Sequence, residues 1–170
     1  MLERTESQFW KNLLSTNTHL LSRGKITPDT LTDLRLILVV DHAEYVLRVA
    51  DAILTRGGFE MIGARTGQVA LEAVRLKPGR IAAVLLDVHL PDLDGISLIP
   101  MLREADPDLA VILTSGYLDG NGFGQFGPRV SFLQKPYKCH ELIAAVQAAL
   151  SRAKDTSRPA SFPVRERSAA

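Results

Sequence analysis

The sequence predicts an α/β fold, a five-stranded parallel sheet wound on both faces by helices. Three observations predict it. Short apolar runs alternate with amphipathic stretches of helical spacing. The runs are continuous in apolar character, as strands covered on both faces must be, and do not alternate apolar with polar. Glycine, proline and capping residues punctuate them at a spacing that fits right-handed βαβ units.

Each element follows in order. Leu36 to Val40 (LILVV) is short, branched and apolar, and reads as the first strand. Glu44 to Thr55 places Val46, Leu47, Ala50, Ile53 and Leu54 on one helical face, and Gly57-Gly58 ends it. Phe59 to Ala64 reads as a second strand. Thr66 is an N-cap candidate for a helix with Val69, Ala70, Ala73, Val74 and Leu76 inward, closed by Pro78-Gly79. Ile81 to Leu86 is the third strand. Asp94 to Arg103 is a helix that Asp94 can cap. Leu109 to Thr114 and Arg129 to Gln134 are the fourth and fifth strands. Cys139 to about Arg152 is the final helix, with Leu142, Ile143, Val146, Ala149 and Leu150 inward. The stretch Tyr117 to Gly127 sits where such a fold places its fourth helix. Its glycines at 120, 122, 124 and 127 would each cost on the order of 1 kcal/mol in a helix interior. A helix there is expected to be short, broken or disordered.

The chain divides into three expected regions. Residues 1–32 hold an amphipathic stretch with Phe9, Trp10, Leu13, Leu14, Leu20 and Leu21, expected to pack on the domain, with a dimer contact or a linker remnant as alternatives. Residues 33–152 form the folded domain. Residues 153–170 are polar, proline-containing and mildly basic, and are expected to be a disordered tail too short for a DNA-binding output domain.

Composition narrows the function. The 170 residues are 46% hydrophobic and 23% charged, enough for a true core. A net charge of +1 gives no electrostatic footprint for nucleic acid or anionic membrane. No run is long enough to span a bilayer, and the N-terminus lacks the apolar core of a signal peptide. Cys139 is the only cysteine, so no intrachain disulfide forms, and a cytoplasmic location is expected.

In open parallel sheets the active crevice lies beyond the carboxyl ends of the strands. Those ends carry Asp41, Asp87, Ser115 and Lys135. A strand-terminal aspartate alone is often only a cap. Two carboxylates, a hydroxyl and an ammonium at four separate strand ends suit phosphoryl transfer. One carboxylate acts as nucleophile, and a second helps to hold Mg²⁺. The cations offset charge on the moving group while the hydroxyl donates to it. Two unit charges 4 Å apart repel by up to about 4 kcal/mol at an effective dielectric near 20, which itself favours a cation there.

The stretches LILVVDH, VLLDVHLPDLDG, AVILTSG and FLQKPY resemble those of response-regulator receiver domains of two-component signalling, over roughly residues 35–152. The resemblance implies the doubly wound, flavodoxin-like receiver fold, with Asp87 as phosphoacceptor. It implies Asp41, Asp87 and the backbone carbonyl of His89 as ligands of Mg²⁺. Ser115 matches the switch hydroxyl, Gly116 the small residue beside it and Phe132 the aromatic switch position. Lys135 matches the phosphate-pairing lysine, with a cis bond to Pro136. Thr114 competes with Ser115 for the hydroxyl role, and counting from Pro107 favours Ser115. The resemblance also implies a histidine kinase or phosphotransfer protein as donor. The SGY ending of the fourth strand is similar to receivers of hybrid histidine kinases.

The departure is His42, where the family has a second acid. Weak Mg²⁺ binding is expected from it, because Mg²⁺ prefers oxygen ligands. Three readings stay open: a partly exposed histidine with no ligand role, which is favoured; substitution by Glu44; or recruitment of a softer metal. His19 and His140 lie outside the crevice.

The chain is therefore expected to be a phosphoaccepting regulator rather than an enzyme. It would signal through an unknown downstream protein or a change of oligomeric state, with no output domain of its own. A pseudo-receiver, keeping the fold as an interaction module without phosphorylation, is the alternative. An unrelated nucleotide-binding enzyme is disfavoured, because no glycine-rich phosphate loop follows a strand.

Overall fold

The computed structural model describes residues 36–76, 78–116, 127 and 129–154. The expected helix within residues 1–32 lies outside them. So do the glycine-rich stretch, apart from Gly127, and the tail beyond residue 154.

Five strands form one sheet: β1 (Leu36–Val40), β2 (Glu60–Ala64), β3 (Ile81–Asp87), β4 (Ala110–Ser115) and β5 (Val130–Gln134). Their order is β2-β1-β3-β4-β5, and all pairings are parallel. Among the described residues, four helices connect or flank them: α1 (Glu44–Arg56), α2 (Gly67–Leu76), α3 (Gly95–Ala105) and α4 (Cys139–Lys154). The doubly wound fold read from the sequence is the one observed.

The burial explains why apolar runs became central strands. All five residues of β1 and all six of β4 are buried, because both sheet faces are covered. Alternate residues serve opposite cores. Leu38, Val40, Val84, Leu86, Val111 and Leu113 pack with α2 and α3 through Ala70, Leu71, Val74, Leu98 and Leu102. Ile37, Val39, Leu85 and Ile112 pack with α1 and α4 through Leu47, Leu54, Leu142 and Val146. Each such side chain contributes about 1.5–3 kcal/mol relative to exposure.

Local chemistry sets the boundaries. The N–H of Phe59 bonds to the carbonyl of Leu54 at 3.0 Å, which closes α1 and leaves Glu60 to start β2. Thr66 caps α2, its Oγ1 accepting from Val69 N at 3.3 Å. Asp94 caps α3, accepting from Ser97 N at 3.2 Å. Glu141 turns back to accept from Lys138 N at 2.7 Å where α4 begins. That helix continues to Lys154, two residues past the expected end near Arg152. Among the described residues no helix is long and apolar enough to cross a membrane.

Candidate functional site

Parallel strands end on one edge, so their last residues crowd together. Val40 stands opposite Leu86 in the β1–β3 register and Asp87 opposite Thr114 in β3–β4. Asp41 therefore emerges beside Asp87. The N–H of Asp41 still bonds to the carbonyl of Ala64 at 3.1 Å, and that of Val88 to the carbonyl of Thr114 at 3.0 Å. The strand ends are thus tied before the chain turns away.

Lys135 joins them from β5. Its Nζ lies 2.6 Å from Asp41 Oδ2 and 3.1 Å from Asp87 Oδ2. The two carboxylates are almost fully buried, with side-chain exposures of 4% and 6%, while Lys135 keeps 24%. A buried carboxylate pair is repulsive and poorly solvated, so a shared ammonium between them offsets both penalties. The remaining oxygens are also engaged. Asp41 Oδ1 accepts from Ala43 N at 2.9 Å, and Asp87 Oδ1 accepts from His89 N at 3.3 Å.

Ser115 ends β4 with 1% exposure, and Thr114 before it has 2%. The carbonyl of Ser115 accepts from Lys135 N at 2.9 Å, so the hydroxyl residue and the lysine are neighbours through the backbone. Among the described residues, an added Cβ at Gly116 would meet only the carbonyl of Lys135, at 3.9 Å. The Lys135–Pro136 bond is cis. Phe132 stands opposite Leu113 and packs, partly buried, against the α2–α3 core. Tyr137 is pushed up to about 12 by burial first and then by Asp41 and Asp87, so its phenol stays neutral beside the site.

His42 is exposed on the rim, yet its Nδ1 lies 3.7 Å from Asp87 Oδ2 and 3.9 Å from Asp41 Oδ1. Glu44 instead faces solvent and approaches Arg48 at 3.8 Å. Among the described residues, the group able to hold a metal ion is Asp41, His42 and Asp87, with donor atoms all within 4.8 Å. Two carboxylates fit Mg²⁺, which commonly takes one or two of them and keeps several waters. The imidazole is the member that does not suit it.

Three supports of this site were not singled out in the linear sequence. Asp92, in the loop after β3, reaches α2 and accepts from Gly67 N and Gln68 N, both at 2.9 Å. Burial works to raise the Asp92 carboxyl, but the N–H groups of Gln68 and Gly67 outweigh it and lower it overall. Gly95 brings α3 against β3: a Cβ there would sit 2.2 Å from the carbonyl oxygen of Asp87. Arg65 Nε donates to the carbonyl of His42 at 3.3 Å and pins that turn from β2. Only the contacts across 23 to 25 residues reveal the first and third. The DG pair at Asp94-Gly95 was visible, but read only as a helix start.

The family model described as response regulator receiver domain matches residues 37–147. The transcriptional regulatory protein PrrA of Mycobacterium bovis is 34% identical over 123 residues, covering 71% of this chain and 52% of that protein. The transcriptional regulatory protein SrrA of Staphylococcus aureus is 31% identical over 128 residues, covering 75% and 52%. The chain thus spans about half the length of the curated relatives it matches. Among solved structures, a response regulator receiver domain protein from Clostridium thermocellum superposes with a TM-score of 0.66 at 26% identity. The match covers 71% of this chain and 98% of that one. A response regulator receiver protein from Sinorhizobium medicae gives 0.64 at 26% identity, over 71% and 98%.

Proposed function

This chain belongs to the response-regulator receiver family, and from that premise we propose that it accepts a phosphoryl group on Asp87 from a phosphohistidine donor. The observation that carries the reading is the single ammonium of Lys135 within 3.1 Å of both buried carboxylates. The Asp87 carboxylate attacks phosphorus. An O–P bond forms as the N–P bond of the donor breaks, and the electron pair returns to the imidazole. Lys135 then pairs with the new phosphoryl oxygens, and the Ser115 hydroxyl donates to one of them. A divalent ion, held by Asp41, Asp87 and the His89 carbonyl, would offset charge on the phosphoryl group.

Readout follows from the same residues. Ser115 moves toward the phosphoryl group, and Phe132, one layer below on β5, turns into the space released. The two arrangements pre-exist, and phosphorylation shifts their populations by binding one of them better. The signal then passes to a downstream protein, or to a second copy, across the β5–α4 surface. Residues 33–152 suffice for this switching unit, with 1–32 and 153–170 as appendages.

Incubation with a small-molecule phosphodonor and a divalent ion is expected to add one phosphate, and Asp87→Asn is expected to add none. Uptake that persists in Asp87→Asn would sink the reading. A pseudo-receiver is the second reading, favoured by one observation: His42 stands where the family has an acid. Partner binding that ignores both phosphodonor and Asp87→Asn would select it.

A further inference from the structure

We propose that Asp41, His42 and Asp87 form a site for a divalent ion of borderline softness, such as Ni²⁺, Zn²⁺ or Cu²⁺, bound through His42 Nδ1 in preference to Mg²⁺. The inference deepens, and rests on, the reading of this crevice as the phosphoacceptor site.

Geometry is the first support. His42 is 57% exposed at its side chain and could turn wholly to solvent. Instead Nδ1 faces the crevice, 3.7 Å from one carboxylate and 3.9 Å from the other. An ion with bonds of roughly 2.0–2.2 Å holds its ligand atoms roughly 3.3–3.6 Å apart in tetrahedral geometry. The two His42–carboxylate spacings are therefore within a few tenths of an ångström of that range, and all three donors already lie within 4.8 Å of one another. The turn that carries His42 is fixed at both ends, by Asp41 Oδ1 on Ala43 N and by Arg65 on the His42 carbonyl.

Charge is the second support. Two carboxylates less the ammonium of Lys135 leave a formal charge of about −1 for an incoming cation. An acid at position 42 would have made this −2. Mg²⁺ binds almost wholly through charge and oxygen, and gives up its waters reluctantly, so it loses most by the change. Nickel, zinc and copper gain a nitrogen donor they favour. At Asp41 the ammonium of Lys135 sits on Oδ2, whereas the oxygen nearest His42 is Oδ1. At Asp87 both Lys135 and His42 face Oδ2, so an entering ion shares that oxygen with the ammonium.

The test is calorimetric titration of the unphosphorylated, untagged chain with Ni²⁺ and with Mg²⁺, in the wild type, His42→Ala and His42→Asp. Electron paramagnetic resonance of bound Cu²⁺ accompanies it. His42 is exposed, so its replacement leaves the fold intact. The wild type is expected to bind Ni²⁺ more tightly than Mg²⁺, and His42→Ala to weaken Ni²⁺ by about tenfold or more while leaving Mg²⁺ unchanged. His42→Asp is expected to strengthen Mg²⁺. The imidazole nitrogen coupling on Cu²⁺ is expected to vanish in His42→Ala. Equal Ni²⁺ affinity in wild type and His42→Ala, or a nitrogen coupling that survives the substitution, would overturn the proposal. Neither readout involves phosphate. A chain that takes up no phosphoryl group can still pass this test, and a phosphorylated one can still fail it.

Discussion

The two banks of the crevice are built differently. The Asp87 bank is framed by contacts that end on backbone N–H groups: Gly95 N bonds to the carbonyl of Val88 at 2.8 Å, Asp94 accepts from Ser97 N, and Asp92 accepts from Gly67 N and Gln68 N of α2. The Asp41 bank is framed by side chains, with Lys135 on Asp41, Arg65 on the His42 carbonyl and His42 itself half in water. The contrast separates two tasks. On the proposed function, the first bank would fix where the nucleophile stands and is expected to tolerate little change. The second would decide which cation accompanies it, and a single exposed residue is expected to be exchangeable there without disturbing the core.

The sharpest way to break this comparison is Gly95→Ala. The added methyl meets the backbone of Asp87 and Val88, with Asp87 O at 2.2 Å and Val88 Cα at 2.9 Å, so no flexible side chain can yield. Overpacking of this kind costs about 1–3 kcal/mol. Urea denaturation is expected to show that loss, and phosphate uptake is expected to fall with it. A variant with wild-type stability and uptake would mean that the nucleophile bank is not held by backbone contact.

Asp92→Asn comes next. It weakens the tie between the β3–α3 loop and the first turn of α2, an effect of about 0.5–2 kcal/mol for a lost cap, toward the low end at this exposed position. The Asp92 carboxyl is lowered in the folded chain, so its contribution is fully present above the ordinary carboxylate value. It is lost as pH falls through the folded value. Thermal unfolding followed downward from neutral pH is expected to show a shallower decline in Asp92→Asn than in the wild type. Parallel curves would remove Asp92 from the framework.

His42→Ala is expected to change least, within about 0.5 kcal/mol of wild type in the same unfolding assay. The asymmetry between the banks predicts this small number as firmly as the large one. A loss comparable with that of Gly95→Ala would erase the distinction between them.

Much of this was legible in the sequence, and the reason is physical. Leu36–Val40 and Leu109–Thr114, the latter observed as Ala110–Ser115, announce buried strands because burial on both faces demands unbroken apolar runs. Asp41, Asp87 and Lys135 announce a crevice because parallel topology gathers strand ends on one edge, and the structure brings them to within 3.1 Å of one ammonium. Thr66 and Asp94 announce helix starts because capping is local. What stayed hidden depends on distance along the chain. Asp92 reads as an ordinary loop acid until the fold brings α2 to it. Gly95 reads as a helix opener until β3 is seen pressed against it. The orientation of His42 hid as well: spacing alone could not say whether its ring faced water or the carboxylates.

The most direct measurement is chemical mapping of the phosphorylated residue. Protein treated with a small-molecule phosphodonor and a divalent ion is reduced with borohydride, which converts an acyl phosphate on aspartate to homoserine, and is then digested and sequenced by mass spectrometry. The account predicts homoserine at position 87 and nowhere else, in the wild type and in His42→Asp. Homoserine at Asp41 or another acid, or none in either protein with Mg²⁺ or Ni²⁺ supplied, would contradict it.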